Sequence, residues 1–344
     1  MTEKSINPWD GKIDIDQIAS KKNVIIIGGV DTGKSSLVEY LCTKLANEIR
    51  LGLISADLGQ SLFGLPTCFS YSRYKDEKVR ELNPDKMIFI GSASPRGNFL
   101  KVVSAFHRLL RVANQENEVT LIDTDGLVYD SAGKEYKAVL IEMLEDGFVI
   151  VVQKEDEVKH IIEGVIEQIS IPYVLIDVPQ NIKEKSIKER TSYRQNKFLQ
   201  YFSNKIEKSY VFDCKKMSGM VFGLGKVMDQ PTLDVLTKML GQQALYGEYG
   251  KYEFGIVTKD VVDRDDIVKT SQEINIKKLV IYPVSMFKNL LAGFNDNEGF
   301  TKVVGIIKDI EFPAFRMNVF LPWDIDINDL YCTLGKEHII LEQT

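Results

Sequence analysis

The stretch Gly28-Gly29-Val30-Asp31-Thr32-Gly33-Lys34-Ser35-Ser36 decides the fold of this chain. It matches the template G-x-x-x-x-G-K-[ST], in which a tightly folded backbone points its amide hydrogens at bound phosphates. An apolar run at 24–27 precedes it, and Leu37, Leu41 and Leu45 follow it at a spacing of four. Because this loop works between a strand and a helix, the sequence predicts a nucleoside triphosphate site at residues 28–36.

Two residues of the loop have a defined chemistry. Lys34 offers a point charge to the β- and γ-phosphates, and Ser35 offers a hydroxyl to magnesium. The other residues expected to contact the phosphates are Gly28, Gly29, Val30, Asp31, Thr32, Gly33 and Ser36. The alternative is an ordinary strand-to-helix turn, which would match this template by chance in about one chain in a hundred of this length.

Length and composition indicate a cytoplasmic protein of two domains. The 344 residues exceed the roughly 250 to 300 at which a single core stops growing. No apolar stretch approaches the roughly 20 residues that cross a bilayer, and the N-terminus lacks the apolar centre of a signal peptide, so we expect no membrane partner. The four cysteines lie far apart, which favours neither a zinc site nor a disulfide framework. A net charge of -6 argues against broad coating of DNA.

Apolar runs that alternate with helical patterns predict a doubly wound α/β fold with a mainly parallel sheet. The runs at 51–56, 87–90, 119–122, 148–152 and 173–176 are typical of buried parallel strands. Residues 1–21 form a short N-terminal segment, and 22–206 form the nucleotide-binding domain. From 207 to 344, short runs such as 279–282 and 338–341 predict a smaller, mainly β domain. We expect it to serve as a packing or docking module.

Two aspartates follow predicted strands, at the sheet edge where a nucleotide should bind. Asp57 stands in Ala-Asp-Leu-Gly-Gln, and Asp123 in Ile-Asp-Thr-Asp-Gly. Aspartates at strand ends often only cap the next turn. A magnesium nucleotide, however, needs carboxylates, and phosphoryl transfer needs a group that orients the attacking oxygen. We therefore expect at least one of them to act with Ser35 at the metal.

A GTPase is the alternative on the same sheet. Residues 123–126 fit the D-x-x-G pattern, and the run 153–156, Gln-Lys-Glu-Asp, differs by one residue from N-K-x-D. Gln153 is longer than the asparagine of that motif, and the segment before Asp57 is short for a switch loop.

Arg190 and Arg194 are one helical turn apart in a basic stretch, with Lys183 and Lys197 on roughly the same stripe. Such a run is often a solvated helix face. In a nucleotide enzyme, two arginines so placed can close over the transferring phosphoryl group. We expect a lid.

Together these motifs resemble the polynucleotide 5'-hydroxyl kinases of the Clp1 and Grc3 type. The similar stretches are the phosphate loop, Asp57-Leu58-Gly59-Gln60 for the Asp-x-Gly-Gln motif, Phe89-Ile90-Gly91-Ser92-Ala93-Ser94-Pro95 for Gly-Ser-x-Ser-Pro, Thr124-Asp125-Gly126 for the Thr-x-Gly clasp, Arg190 with Arg194 for the R-x-x-x-R lid, and 290–321 for the small β domain. Leu127 stands where many relatives carry tryptophan.

The resemblance implies transfer of the γ-phosphate of ATP, with Mg²⁺, to the 5'-hydroxyl end of RNA or DNA. The roles it implies are these: Lys34 steadies the phosphates, Ser35 binds the metal, Asp57 either holds the metal water or accepts the hydroxyl proton, Gln60 orients that site, Thr124 and Gly126 clasp the triphosphate, and Arg190 and Arg194 neutralise the moving phosphoryl group. We place Asp123 near the metal from its position at a strand end. The C-terminal domain would dock protein partners in RNA processing.

Two alternatives to turnover on polynucleotides stay open: a scaffold that binds ATP without turnover, and a GTPase or small-molecule kinase. For substrate contacts, Arg96, Lys101 and Arg108 are candidates for backbone phosphates, and Tyr71 and Tyr74 for base stacking. Trp9 could stack on a base or, more simply, staple the N-terminus to the first strand.

Overall fold

The structure is a computed structural model that describes residues 7–46, 48–180, 182–312 and 314–341. It divides into two units, one up to Lys197 and one from Phe198 onward. The domain limits proposed from the sequence, after residues 21 and 206, stay predictions. In the described ranges no helix is both long enough and apolar enough to cross a membrane.

The first unit is an α/β layer structure. Its helices are α1 (Ile15–Ala19), α2 (Lys34–Leu45), α3 (Phe99–Glu116), α4 (Ser131–Glu142), α5 (Lys159–Ile161, which a π-helical turn continues over Ile162–Ile166) and α6 (Ile187–Tyr201), whose end reaches the second unit. Its strands are β1 (Asn23–Gly28), β2 (Leu51–Ala56), β3 (Cys68–Arg73), β4 (Lys86–Phe89), β5 (Val119–Thr124), β6 (Gly147–Gln153) and β7 (Tyr173–Asp177).

These seven strands form one sheet in the order β4-β3-β2-β5-β1-β6-β7. The five strands from β2 to β7 in this order are parallel, as expected. The strand predicted at 87–90 is present as β4, but its pairing is not parallel as predicted: β4 pairs antiparallel with β3, which in turn pairs antiparallel with β2. β3 escaped prediction because its run, Cys-Phe-Ser-Tyr-Ser-Arg, includes two buried serines. The edge strand β7 is also more exposed than predicted.

Both faces of this sheet are covered, as a doubly wound fold requires. Val24 and Ile26 pack with Leu37 and Leu41 of α2 on one face. Ile25 and Ile27 point the other way, since side chains alternate along a strand, and they are fully buried too. Helix α3 contacts β2, β3, β4 and β5. The predicted fold class is confirmed.

The second unit is rich in strands, as predicted. They are β8 (Ile206–Val211), β9 (Met217–Ser218), β10 (Lys226–Val227), β11 (Ala244–Tyr249), β12 (Glu253–Thr258), β13 (Lys278–Pro283), β14 (Leu290–Asn295), β15 (Thr301–Glu311), β16 (Arg316–Leu321) and β17 (Tyr331–His338), with helices α7 (Gln230–Leu240) and α8 (Arg264–Glu273). The sheets have the orders β10-β11-β12-β13 and β8-β16-β15-β14-β17-β9.

Two details of the second unit differ from the sequence interpretation. The predicted strand at 338–341 is wrong, because β17 ends at His338. Helix α7 was missed although its signals are in the chain: Asp229 caps it by accepting from the amide of Thr232, Pro231 stands in its first turn, and Gly241 ends it in the left-handed region.

Candidate functional site

The phosphate loop connects β1 to α2 at the carboxyl edge of the sheet, where the sequence places it. β1 ends at Gly28, and α2 begins at Lys34. Gly33 has φ 88°, in the left-handed region, and a Cβ there would lie 3.0 Å from Trp9 and from Ile182. Both conformation and space therefore require glycine at this position.

Lys34 is nearly buried, with 7% of its surface exposed. Its ammonium donates to the carbonyl oxygens of Gly28, at 3.1 Å, and Gly29, at 2.6 Å. Burial lowers the pKa of Lys34, and the negative charges of Asp123 and Asp57 oppose that shift. An ammonium has three N–H donors, so one donor remains for a phosphate oxygen.

Asp123 lies in the middle of the sheet, because β5 runs between β1 and β2 and pairs Asp123 with Ile26 and Ser55. Ser35 donates its hydroxyl to Oδ2 of Asp123 at 2.8 Å. The other oxygen, Oδ1, is buried without a hydrogen-bond partner. Burial raises the pKa of Asp123 to about 7, although the charge of Lys34 acts to lower it.

Asp57 directly follows β2, whose last residue, Ala56, pairs with Thr124 of β5. Its Oδ1 accepts from the backbone amides of Gly59 and Gln60, both at 2.8 Å. Burial, and then the charge of Asp125, raise the pKa of Asp57. Gln60 accepts from the ammonium of Lys185 at 2.9 Å through Oε1, while its Nε2 is buried without a partner.

These residues fit a magnesium ion. Mg²⁺ takes oxygen ligands, and it is usually bound by one or two carboxylates plus substrate phosphates. The hydroxyl of Ser35 and the unpartnered Oδ1 of Asp123 are oxygen ligands of that kind. In the described part of the chain, no group of three His, Cys, Asp or Glu side chains could hold an ion without such phosphates.

The predicted clasp reaches the phosphate loop through Gly126. A Cβ at Gly126 would lie 2.7 Å from the amide nitrogen of Val30, so only glycine fits against the loop. The hydroxyl of Thr124 donates instead to the carbonyl of Ile26 in β1, at 2.7 Å. Direct contact of Thr124 with a triphosphate stays a prediction.

A buried ion pair behind the clasp was missed by the sequence interpretation. Lys137 is fully buried, and its ammonium donates at 3.0 Å both to Oδ1 and to the carbonyl of Asp125. The available signal was a lysine on the apolar stripe of α4, among Gly133, Tyr136 and Leu140, which are all buried. This pair fixes the backbone that carries Gly126.

The lid arginines lie on α6, whose start is a capping box. The Oγ of Ser186 accepts from the amide of Glu189 at 3.2 Å, and the Glu189 carboxylate accepts from the amide of Ser186 at 2.6 Å. Arg190 forms an ion pair with Asp31 of the phosphate loop, at 2.6 Å. Arg194 donates to Thr191 within the helix, at 3.2 Å. Lys183 precedes the helix, so its place on the predicted stripe is wrong.

The structure also shows the surroundings of three other candidate residues from the sequence analysis. Trp9 is 1% exposed in the core with Val24 and Leu37, and its Nε1 donates to Ser36 at 3.3 Å, so it staples the N-terminus. Tyr71 is fully buried and cannot stack on a base. Arg96 pairs with Asp130.

Comparison with known proteins gives one family. The model described as mRNA cleavage and polyadenylation factor CLP1 P-loop matches residues 28–204. A polyribonucleotide 5'-hydroxyl-kinase of Pyrococcus horikoshii is 30% identical over 322 residues, which cover 92% of this chain and 86% of that protein. One of Methanocaldococcus jannaschii is 26% identical over 304 residues, covering 87% and 81%.

Solved structures agree on the fold. A chain in the wild-type Clp1p–Pcf11p complex matches with a TM-score of 0.61 at 13% identity, over 95% of this chain and 78% of that one. The family model and the archaeal relatives confirm the family resemblance stated from the motifs. Since the family model spans more than half of the residues and the Pyrococcus horikoshii relative is similar over most of both chains, this chain belongs to the Clp1-type P-loop family.

Proposed function

We propose that this chain is an ATP-dependent polynucleotide 5'-hydroxyl kinase. One observation carries the proposal: the buried ammonium of Lys34 lies within electrostatic reach of Asp57 and Asp123, at the ends of neighbouring strands beside the phosphate loop. A cation for the phosphates and carboxylates for a metal and an acceptor hydroxyl are what phosphoryl transfer needs. The named activity of the archaeal relatives supports the same reaction.

The phosphate loop would bind the triphosphate of ATP. The amides of residues 28–36 would surround the β- and γ-phosphates, and Lys34 would give its third N–H to them. Ser35 and Asp123 would hold Mg²⁺, which when bound withdraws charge from the phosphate oxygens. Gly126 would keep the loop closed from the opposite side, because it packs against Val30.

Asp57 would act on the acceptor hydroxyl. Two backbone amides fix its Oδ1, so the position of the carboxylate is defined before substrate binds. Its raised pKa brings it nearer to neutral pH, where a general base works best. The 5'-oxygen would attack the γ-phosphorus, the bond to the β–γ bridging oxygen would break, ADP would leave, and the proton would pass to Asp57.

The two arginines of α6 would neutralise the phosphoryl group as it moves. Arg190 is already held at the phosphate loop by Asp31, so its guanidinium lies on the nucleotide side. Arg194 lies one turn further along the same helix and would approach the transferring group from the lid. Such arginines stabilise charge that develops only in the transition state.

The test is transfer of labelled γ-phosphate from ATP, with magnesium, to matched 5'-hydroxyl RNA and DNA oligonucleotides. Labelled product with the parent chain and none with Lys34→Ala would support the kinase, and the ratio of RNA to DNA would define the substrate. Full transfer by Lys34→Ala would contradict the role of Lys34.

The same assay separates the alternatives. ATP binding without labelled product would favour the scaffold, with the second unit as its docking module for RNA-processing partners. Selective GTP binding would favour a GTPase, and consumption of ATP with a small metabolite alone would favour a small-molecule kinase. We also propose a cytoplasmic location, where thiols stay reduced, since all four cysteines are free.

A further inference from the structure

Two cations outside the phosphate loop, Arg80 and Lys197, belong to the same unit as Asp57 and Asp123, and the charge of Arg80 acts to lower the pKa of Asp123. Arg80 stands in a short 3-10 turn, Val79–Glu81, and Lys197 lies near the end of α6. The ammonium of Lys197 lies 3.4 Å from the backbone carbonyl of Arg80. Two cations from distant parts of the chain are therefore neighbours.

A chain of contacts joins this pair to the acceptor side of the site. The amide of Gln60 donates to Asp57, and the next residue, Ser61, accepts from the hydroxyl of Tyr193 at 2.6 Å. The ring of Tyr193 has the ammonium of Lys197 at 5.9 Å from its centroid and that of Lys185 at 6.0 Å. Lys197 thus lies one turn of α6 beyond Tyr193, and the contacts of Tyr193 connect it through Ser61 and Gln60 to Asp57.

Both cations are held in place. Arg80 forms an ion pair with Glu39 of α2, with Nε 2.6 Å from Oε1, so its guanidinium has a fixed direction. Lys197 is half-buried, and burial together with the neighbouring Arg80 lowers the pKa of its ammonium. The charge of Arg80 acts against the ammonium of Lys197, and an anion bound between the two side chains would offset that repulsion.

We propose that Arg80 and Lys197 bind the first internucleotide phosphate of the acceptor strand, the phosphodiester that follows the nucleotide carrying the 5'-hydroxyl. This inference rests on the proposed kinase function. The site distinguishes a polynucleotide from a free nucleoside, which has no such phosphate. RNA and DNA share this group, so the site serves both.

The first test measures binding of a 5'-hydroxyl oligonucleotide against salt concentration, without ATP. Each phosphate contact with a single strand contributes about 0.7 to the slope of log affinity against log salt. We expect Lys197→Met to reduce this slope by about 0.7. Lys188→Met is the matched control: it removes the same charge nine residues earlier on α6, on the opposite face, and leaves the slope unchanged.

The second test replaces the first linkage with a neutral methylphosphonate. The parent chain should bind this oligonucleotide about tenfold more weakly than the ordinary one, as loss of a charged hydrogen bond predicts, and Lys197→Met should show no further loss. Arg80→Gln should behave like Lys197→Met. The KM for ATP should stay unchanged in both variants, which also shows that they fold.

Three results would overturn the inference. The first is a salt slope for Lys197→Met equal to that of Lys188→Met. The second is a full further loss of affinity when Lys197→Met binds the methylphosphonate oligonucleotide. The third is a KM for ATP that rises in the variants while their affinity for the oligonucleotide is unchanged. A parent chain that binds oligonucleotides as described but transfers no label would refute the kinase and keep the phosphate site.

Discussion

The two units differ in how completely their buried polar groups are hydrogen-bonded. In the second unit, the carboxylate of Glu248 is 3% exposed and fully engaged: it accepts from the amides of Leu224 and Gly225 and from the hydroxyl of Tyr246. In the first unit, Asp123 and Asp125 each keep one buried oxygen without a partner.

This difference extends beyond the carboxylates. Among the described residues, Thr270 is the single member of the second unit with a buried side-chain oxygen or nitrogen that lacks a partner. Gln60 and Arg190 of the first unit have such atoms too. A buried polar atom without a partner costs stability, so its presence at a site points to ligands. The contrast supports our proposal that the chemistry belongs to the first unit and that Glu248 has a structural role.

The largest effect that would sharpen this contrast is expected at the lid. Arg190→Ala should lower kcat by about a thousandfold or more, because it removes charge stabilisation of the transition state. Single-turnover transfer with saturating ATP measures this, and Lys188→Met on the same helix is the control. Equal rates for the two variants would place Arg190 outside the reaction.

Next in size is the ion pair behind the clasp. Lys137→Met leaves Asp125 buried and unpaired, and breaking a buried pair in this way costs about 3–5 kcal/mol. Urea denaturation should show the lower free energy of unfolding. Lys134→Met, in the same helix but not fully buried, should change it far less. A stable Lys137→Met chain would mean that Asp125 is solvated.

The third effect is pH dependence. Burial raises the pKa of Asp123 from 3.8 to about 7, so between these values the folded chain binds a proton that the unfolded chain releases. The contribution of Asp123 to stability is therefore present below about pH 4 and is lost as pH rises through 7. Asp123→Asn should remove this component from unfolding curves measured without nucleotide or magnesium. If the pH dependence of unfolding is unchanged in Asp123→Asn, then Asp123 does not contribute to it.

The smallest effect is expected at Glu248. Glu248→Gln should lower the free energy of unfolding by about 1–3 kcal/mol, because the amide side chain cannot satisfy all three donors. Its kcat should equal that of the parent chain. A loss of kcat at unchanged stability would show that the second unit takes part in the reaction.

The sequence alone predicted the features that depend on residues close together in the chain. Apolar runs and motif spacing predicted the phosphate loop, the strands before and after it, and the positions of Asp57 and Asp123 at strand ends. β3 was missed because two buried serines interrupt its apolar run, and the pairing of β4 was misread because pairing direction depends on the partner strand. Lys185 was missed because only the tertiary fold brings it to Gln60, and the direction of the Thr124 hydroxyl depends on the neighbouring strand β1.

The most direct test of the contrast compares Asp57→Asn with Glu248→Gln in labelled phosphate transfer to a 5'-hydroxyl oligonucleotide. Asparagine keeps an oxygen for the amides of Gly59 and Gln60 but removes the charge and the proton acceptor. We predict that Asp57→Asn lowers kcat by about a hundredfold to ten-thousandfold while Glu248→Gln transfers at the parent rate. Transfer by Asp57→Asn at the parent rate would contradict the assignment of the chemistry to the carboxylates of the first unit.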